Sequence, residues 1–325
     1  MFVLGLQGSP RKAGNTATML YWFLDMAKEL GAVTLQLQVP DLKIQPCKEC
    51  GTCETKGFCP IEDQMQEVYP LLWKADLVVI GTPIFFYGPT AQLKALIDRS
   101  QALWSRKYIF NLDDPGRPWR KGLLLAVGAT KGKNLFEGTK LTAKYFFDAF
   151  GAYYQGALTY SRIESAGQIK EHPTAFEDIR KKAEEMIRPF LSRKRVLFQC
   201  RENACRSQMS AAFARFLFGD KMEVESAGSN PAPEVNPMMK EAMAEKGIDM
   251  SYLAPKSLEQ VSMKPQVVVS MGCEDNCTLY PGAKLVQWDI PDPSGKDLDF
   301  MKRVRDQLVE KIKQLAKEVE SKVMK

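Results

Sequence analysis

Apolar residues recur along the chain in two rhythms. Short continuous or alternating runs predict strands: FVLGLQ from Phe2, AVTLQLQV from Ala32, DLVVIGT from Asp76, KGLLLAVGAT from Lys121 and GAYYQGALTY from Gly151. Between them, apolar positions three and four apart predict helices. These are NTATMLYWFLDMAKEL from Asn15 (closed by Gly31), MQEVYPLLWKA from Met65, TAQLKALIDRSQALW from Thr90 and a run ending near Phe150. TAFEDIRKKAEEMIRPFL from Thr174 closes the series, with acids early and bases late as the helix dipole prefers. After LSRKR the alternation begins again. RVLFQC, MEVESAG, PQVVVSMG and AKLVQWDI read as strands, SQMSAAFARFLFG and PMMKEAMAEKGI as helices, and Leu298 to about Lys322 as a long terminal helix. Two strand–helix alternations in succession predict an α/β chain of two doubly wound parallel-sheet domains, residues 1–192 and 193–325, with the boundary near Ser192–Lys194.

A length of 325 residues agrees with two domains, and 45% hydrophobic with 26% charged residues can bury a sizeable core in each. The net charge of +6 is scattered, without a dense basic stripe, so anionic small molecules fit better than nucleic acid. The apolar run at the start is too short for a signal peptide, and no run reaches transmembrane length. A cytoplasmic protein with reduced thiols and no membrane partner is expected. The single histidine, His172 beside Pro173, reads as a loop residue, which sets aside histidine metal cages and Ser-His-Asp triads. The eight cysteines fall in three tight groups (Cys47, Cys50, Cys53, Cys59; Cys200, Cys205; Cys273, Cys277), a pattern of metal or redox work.

Between the first strand and first helix lies GSPRKAGNT. Ser9, Asn15, Thr16 and the backbone N–H groups there can surround a phosphate at a helix N-terminus, with Arg11 adding charge. The spacing is neither a dinucleotide fingerprint nor a Walker loop; a capped turn is the plainer alternative. A second strand-to-helix turn, GTPIFFYGPT, holds Pro83, Ile84, Phe85, Phe86, Tyr87 and Gly88, aromatics that suit a flat ring at the carboxyl ends of the strands. The strand end VGAT, with Gly128, can close the same site.

Residues 1 to about 190 resemble the flavodoxin-like NAD(P)H-dependent FMN reductases, which carry a GSPRxxGNT loop and a TPIYxxxxxAxLKxxIDR turn. The resemblance implies FMN, with its phosphate held by Ser9, Arg11, Gly14, Asn15 and Thr16 and its ring lined by Pro83 to Gly88 and Gly128. It also implies NAD(P)H as electron donor and a homo-oligomer formed through this domain. The C-x2-C-x2-C-x5-C loop of Cys47, Cys50, Cys53 and Cys59 can bring four thiolates to one centre. It resembles the iron–sulfur flavoproteins of this family, which implies a [4Fe–4S] cluster; structural zinc and four free thiols are the other readings of the spacing. Gln64 stands where relatives often show an acid.

In the second half a strand ends on Cys200 and a helix opens near Arg206, leaving RENAC as the loop. Inward N–H groups and the helix dipole favour an anion there and a thiolate at Cys200, an activated nucleophile. Arg206 can grip two oxygens of a tetrahedral oxyanion, Ser207 can hydrogen-bond the thiolate, and Asn203 can pin the loop. Asp292, in an Asp-Pro turn, is a candidate proton donor to the leaving oxygen, and Asp289 a weaker one.

Residues 194 to about 320 resemble the low-molecular-weight protein tyrosine phosphatase superfamily, and within it the arsenate reductases. CRENACRSQM, ESAGSNPAPEVNP, MGCEDNC and DPSGK carry the likeness. It implies attack of Cys200 on arsenate, a disulfide with Cys273, and transfer of that disulfide to Cys277 for reduction, by thioredoxin or otherwise. Ala211 replaces a potassium-ligating Glu found in some members, and the Cys273–Cys277 gap is shorter than in others. The chain is therefore expected to be an oxidoreductase in which an arsenate reductase is joined to its own flavoprotein. A phosphatase fused to a flavin reductase, and a non-catalytic redox or arsenic sensor, are the alternatives.

Overall fold

The computed structural model of the chain describes residues 1–272 and 280–321. It divides into two compact units, Met1–Asn111 with Gly116–Leu191, and Leu112–Pro115 with Ser192–Lys325.

Unit one runs β1 (Phe2–Gln7), α1 (Asn15–Glu29), β2 (Val33–Gln38), α2 (Thr52–Lys56), α3 (Met65–Lys74) and β3 (Leu77–Pro83). It continues with α4 (Ala91–Arg99), α5 (Gln101–Tyr108), β4 (Lys121–Gly128), α6 (Glu137–Ala149), β5 (Tyr153–Ser161) and α7 (Ala175–Leu191). The five strands are all parallel in the order β2-β1-β3-β4-β5. β1, β3 and β4 are buried almost throughout, as their unbroken apolar runs require of strands covered on both faces. β2, at the edge, is partly exposed.

Two elements differ from the expectation. The single helix expected from Thr90 breaks at Ser100, whose N–H reaches both the Leu96 and Ile97 carbonyls and whose hydroxyl donates back to Leu96, a bond that bends helices. The cysteine loop, expected to be irregular, contains α2 between Gly51 and Gly57, both in the left-handed conformation that glycine allows.

Unit two runs β6 (Lys194–Cys200), α8 (Arg206–Phe218), β7 (Met222–Gly228), α9 (Pro237–Ala244), β8 (Val267–Met271), β9 (Lys284–Gln287) and α10 (Leu298–Ser321). Its parallel sheet has the order β7-β6-β8-β9. The core joins Val196 and Phe198 of β6 to Met209 and Phe213 of α8 and to Met301, Leu308 and Ile312 of α10. Leu112–Pro115 also belongs to this unit: the Asp113 N–H donates to the Gly247 carbonyl at 2.7 Å and its carbonyl accepts from Asp249 at 2.8 Å. The continuous blocks expected from the sequence do not anticipate that short segment. No helix among the described residues is long and apolar enough to cross a membrane.

Candidate active sites

In unit one the carboxyl ends of β1, β3 and β4 open onto a cleft of about 240 Å³. Ser9, Arg11, Gly14, Asn15, Thr16, Pro83, Ile84 and Phe85 line it, so the loop after β1 and the start of the aromatic turn converge on one cleft. Gly14 begins α1 without a side-chain cap, leaving the helix start to an outside anion. The loop is fixed from behind: Ser9 Oγ accepts from the Arg11 N–H at 3.1 Å, and Thr90 donates to the Gly8 carbonyl at 2.6 Å. The Phe85–Gly88 turn is closed by reciprocal backbone bonds of 2.9 and 3.0 Å. Its central residues, Phe86 and Tyr87, have φ of 49° and 63°. Left-handed backbone at two aromatic residues is strained, and Phe86 stands fully in solvent.

Asn15 and Gly128 also hold structure around the cleft. The Asn15 amide donates to the Ser165 carbonyl at 2.9 Å and accepts from the Ile169 N–H at 3.2 Å. It thereby holds a loop whose Ile163, Glu164 and Ala166 form the far wall of the cleft, a wall the sequence reading missed. Gly128 does not line the cleft, although its neighbours Val127 and Ala129 do; a Cβ there would lie 2.6 Å from Leu135.

The four clustered cysteines border a separate cleft of about 890 Å³. Among the described residues no three His, Cys, Asp or Glu side chains converge to hold a metal ion. The four side chains are all thiols, the donor type of a thiolate-held centre. Cys47, Cys50, Cys53 and Cys59 face one space, the Glu49 N–H reaches Cys47 Sγ at 3.5 Å, and Arg99 Nε donates to Cys59 Sγ at 3.2 Å. The Thr52 hydroxyl and N–H hold the Cys50 thiol below its ordinary value. Gln64, where relatives often show an acid, accepts the Lys43 N–H at 2.6 Å.

In unit two Cys200 ends β6 and is 3% exposed, so its sulfur lies at the floor of the following loop. Ser207 Oγ is 3.0 Å from Cys200 Sγ, and the Asn203 N–H reaches the sulfur at 3.3 Å. Asn203 Nδ2 donates to Ser207 Oγ at 2.8 Å, which fixes the hydroxyl beside the sulfur. Asn203 itself has φ 51°, a left-handed residue within the loop. Its Oδ1 is held by Lys256 N–H at 2.9 Å and Gln208 Nε2 at 3.1 Å, two braces the sequence did not reveal. α8 starts at Arg206 without a side-chain cap.

The loop is walled by β7 and the segment after it. Ser229, Asn230, Ala232 and Asn236 donate backbone bonds to Cys200, Arg201, Glu202 and Ala204. Arg206 is nearly buried; it donates to the Ile290 carbonyl at 3.0 Å and to Asp292 Oδ2 at 2.6 Å. Asp292 is 58% exposed, and its Oδ1 takes the Ser294 N–H at 2.9 Å, so the Asp-Pro turn presents this carboxyl beside the arginine. Burial pushes the Cys205 thiol up to about 12, with the neighbouring Cys200 and Asp292 adding to the shift. Ala211, where some arsenate reductases have a Glu, packs against the core. The expected relay cysteines, Cys273 and Cys277, lie outside the described residues.

Comparison with known proteins divides the chain in the same way. The family NADPH-dependent FMN reductase matches residues 1–162, and low molecular weight phosphotyrosine protein phosphatase matches residues 195–325. An iron-sulfur flavoprotein of Methanosarcina thermophila is 36% identical over 131 residues, 40% of this chain and 65% of that protein. One of Archaeoglobus fulgidus is 33% identical over 189 residues, covering 55% of this chain and 92% of its own length. Arsenate reductase 1 of Staphylococcus epidermidis is 35% identical over 134 residues, 40% of this chain and all of that protein. Of three such iron-sulfur flavoproteins the chain spans only 45–65% of the length.

Proposed function

Because the chain belongs through its first half to the NADPH-dependent FMN reductase family and through its second to the low molecular weight phosphotyrosine protein phosphatase family, we propose that it is an arsenate reductase joined to a flavin-dependent NAD(P)H oxidoreductase. The observation that carries this reading is the Cys200 sulfur held by the Asn203 N–H and Ser207 at the floor of an anion-binding loop, with Arg206 and Asp292 beside it.

In this reading arsenate enters the loop and its oxygens take the inward N–H groups and the Arg206 fork. The Cys200 thiolate attacks arsenic, and an arsenate oxygen leaves as water with a proton from Asp292. Cys273 then attacks the Cys200 sulfur. The S–As bond breaks, its electron pair stays with arsenic as arsenite, and two thiols have become one disulfide. Cys277 then attacks Cys273, which frees Cys200 as a thiol and leaves a Cys273–Cys277 disulfide to be reduced.

The electrons that reopen the disulfide come from the first unit. Ser9, Arg11, Gly14 and Thr16 would hold the phosphate of FMN, and Asn15 would fix the loop that closes over it. Pro83 to Gly88 would meet the ring. FMN, when bound, supplies two-electron exchange with a reduced nicotinamide; a [4Fe–4S] cluster on Cys47, Cys50, Cys53 and Cys59 would supply one-electron transfer.

Cys200→Ser tests the assignment. It should abolish arsenite formation while NAD(P)H-dependent reduction of a free electron acceptor continues, since serine is a far poorer nucleophile in this loop. Wild-type turnover of phosphate esters without arsenite formation would favour the phosphatase alternative instead.

A further inference from the structure

Beneath the cysteine cleft lies a side chain that the proposed chemistry does not use. Arg99, the last residue of α4, is 1% exposed, and every side of its guanidinium is engaged. Nη1 and Nη2 form a fork on Asp63 at 2.7 and 3.1 Å. The same nitrogens hold the carbonyls of Gln45 at 3.0 Å and Ile61 at 3.2 Å, while Nε donates to Cys59 Sγ at 3.2 Å. One buried cation therefore fastens both ends of the segment that carries all four cysteines, and one sulfur directly. Asp63 is drawn into the same fastening by the Gln45 and Met65 N–H groups at 2.8 and 3.0 Å. Burial opposes the charge on Asp63, yet the Arg99 fork and these N–H groups hold its carboxyl below the usual range.

We infer that Arg99 is a positioning residue for the cysteine centre: it fixes the direction of Cys59 Sγ and raises the reduction potential of the group held by the four thiolates. Reduction adds negative charge to a thiolate-held centre. A buried positive charge and an N–H donor on a ligand sulfur stabilise that added charge, and both are recognised levers on the potential of such centres. Asp63 acts with the opposite sign, because its carboxylate offsets part of the guanidinium field. The inference rests on the reading of the four cysteines as a metal–sulfur centre.

The test uses the full chain, reconstituted anaerobically with iron and sulfide, and three variants: Arg99→Gln, Arg99→Lys and Asp63→Asn. At equal iron content, Arg99→Gln should move the midpoint of the cysteine-held centre to more negative potential and Asp63→Asn to more positive potential, with the FMN midpoint unmoved. Arg99→Lys, which keeps charge but not the fork, should fall between wild type and Arg99→Gln. In metal-free protein, hydrogen exchange over residues 45–63 should be about tenfold faster in both Arg99 variants. Loosening alone would move the Arg99 and Asp63 variants in the same direction, so shifts of one sign, or an unchanged midpoint at equal iron content, would overturn the inference. Unchanged exchange would overturn it as well. Wild-type protein that takes up no iron would sink the cluster reading, and the exchange measurement would then judge the positioning role of Arg99 by itself.

Discussion

Gly228, at the end of β7, touches the oxyanion loop with its backbone. A Cβ at this position would lie 2.6 Å from the Arg201 carbonyl oxygen and 2.9 Å from the Asn203 nitrogen. The first of these is about 0.8 Å inside ordinary van der Waals contact, and both neighbours are backbone atoms that cannot swing aside. The loop is also tied at four points by backbone bonds from Ser229, Asn230, Ala232 and Asn236, so relief has to move the loop itself. Gly228→Ala should therefore cost stability on the order of 1–3 kcal/mol by overpacking. The larger effect falls on the chemistry. The displaced Asn203 N–H is the group that reaches Cys200 Sγ, and a shift of about 1 Å in such a group lowers turnover on the order of 10²-fold. The assay is arsenate-dependent turnover together with calorimetric binding of inorganic phosphate, with FMN content as the control on unit one. Turnover and phosphate affinity within about threefold of wild type would refute the reasoning, since a packed wall cannot absorb the added methyl without moving the loop.

Two further outcomes follow from the site geometry. Burial keeps Cys205 a neutral thiol below a pH of about 12, so iodoacetamide at pH near 8 should leave it unmodified in the folded chain, and label it readily after unfolding; peptide mass mapping reads both. Asn15→Ala should weaken FMN binding about tenfold by releasing the bonds to Ser165 and Ile169, measured as flavin fluorescence in a titration, with the Cys200 chemistry unaffected.

What could be read from the sequence was what lies close along it. The anion loop is formed by consecutive residues from Cys200 to Ser207, so strand, turn and helix start were legible together, down to the role of Asn203 in pinning the loop. The braces on Asn203 were not, because Lys256 arrives through a backbone N–H, which any residue type supplies. Arg99 and Asp63 are 36 positions apart, and nothing in either neighbourhood announces their fork. Asn15 was read as a phosphate ligand on the strength of its place in a loop; only the fold brings Ser165 and Ile169 to its amide. Gly128 was read as a site residue from its place at a strand end; that Leu135 occupies the space a side chain there would need is visible only in the fold. The break at Ser100 hides in a run whose apolar spacing continues across it.

Joining the two activities in one chain has value only if electrons from NAD(P)H reach the disulfide left by arsenate. The direct measurement is NAD(P)H oxidation by the purified full chain, loaded with FMN and without added thioredoxin, followed on addition of arsenate with arsenite counted per chain. The account predicts oxidation that begins with arsenate, yields one arsenite per nicotinamide over many turnovers, and stops after a single turnover in Cys277→Ser. Oxidation indifferent to arsenate, or arsenite production that continues past one turnover only when thioredoxin is supplied, would contradict it.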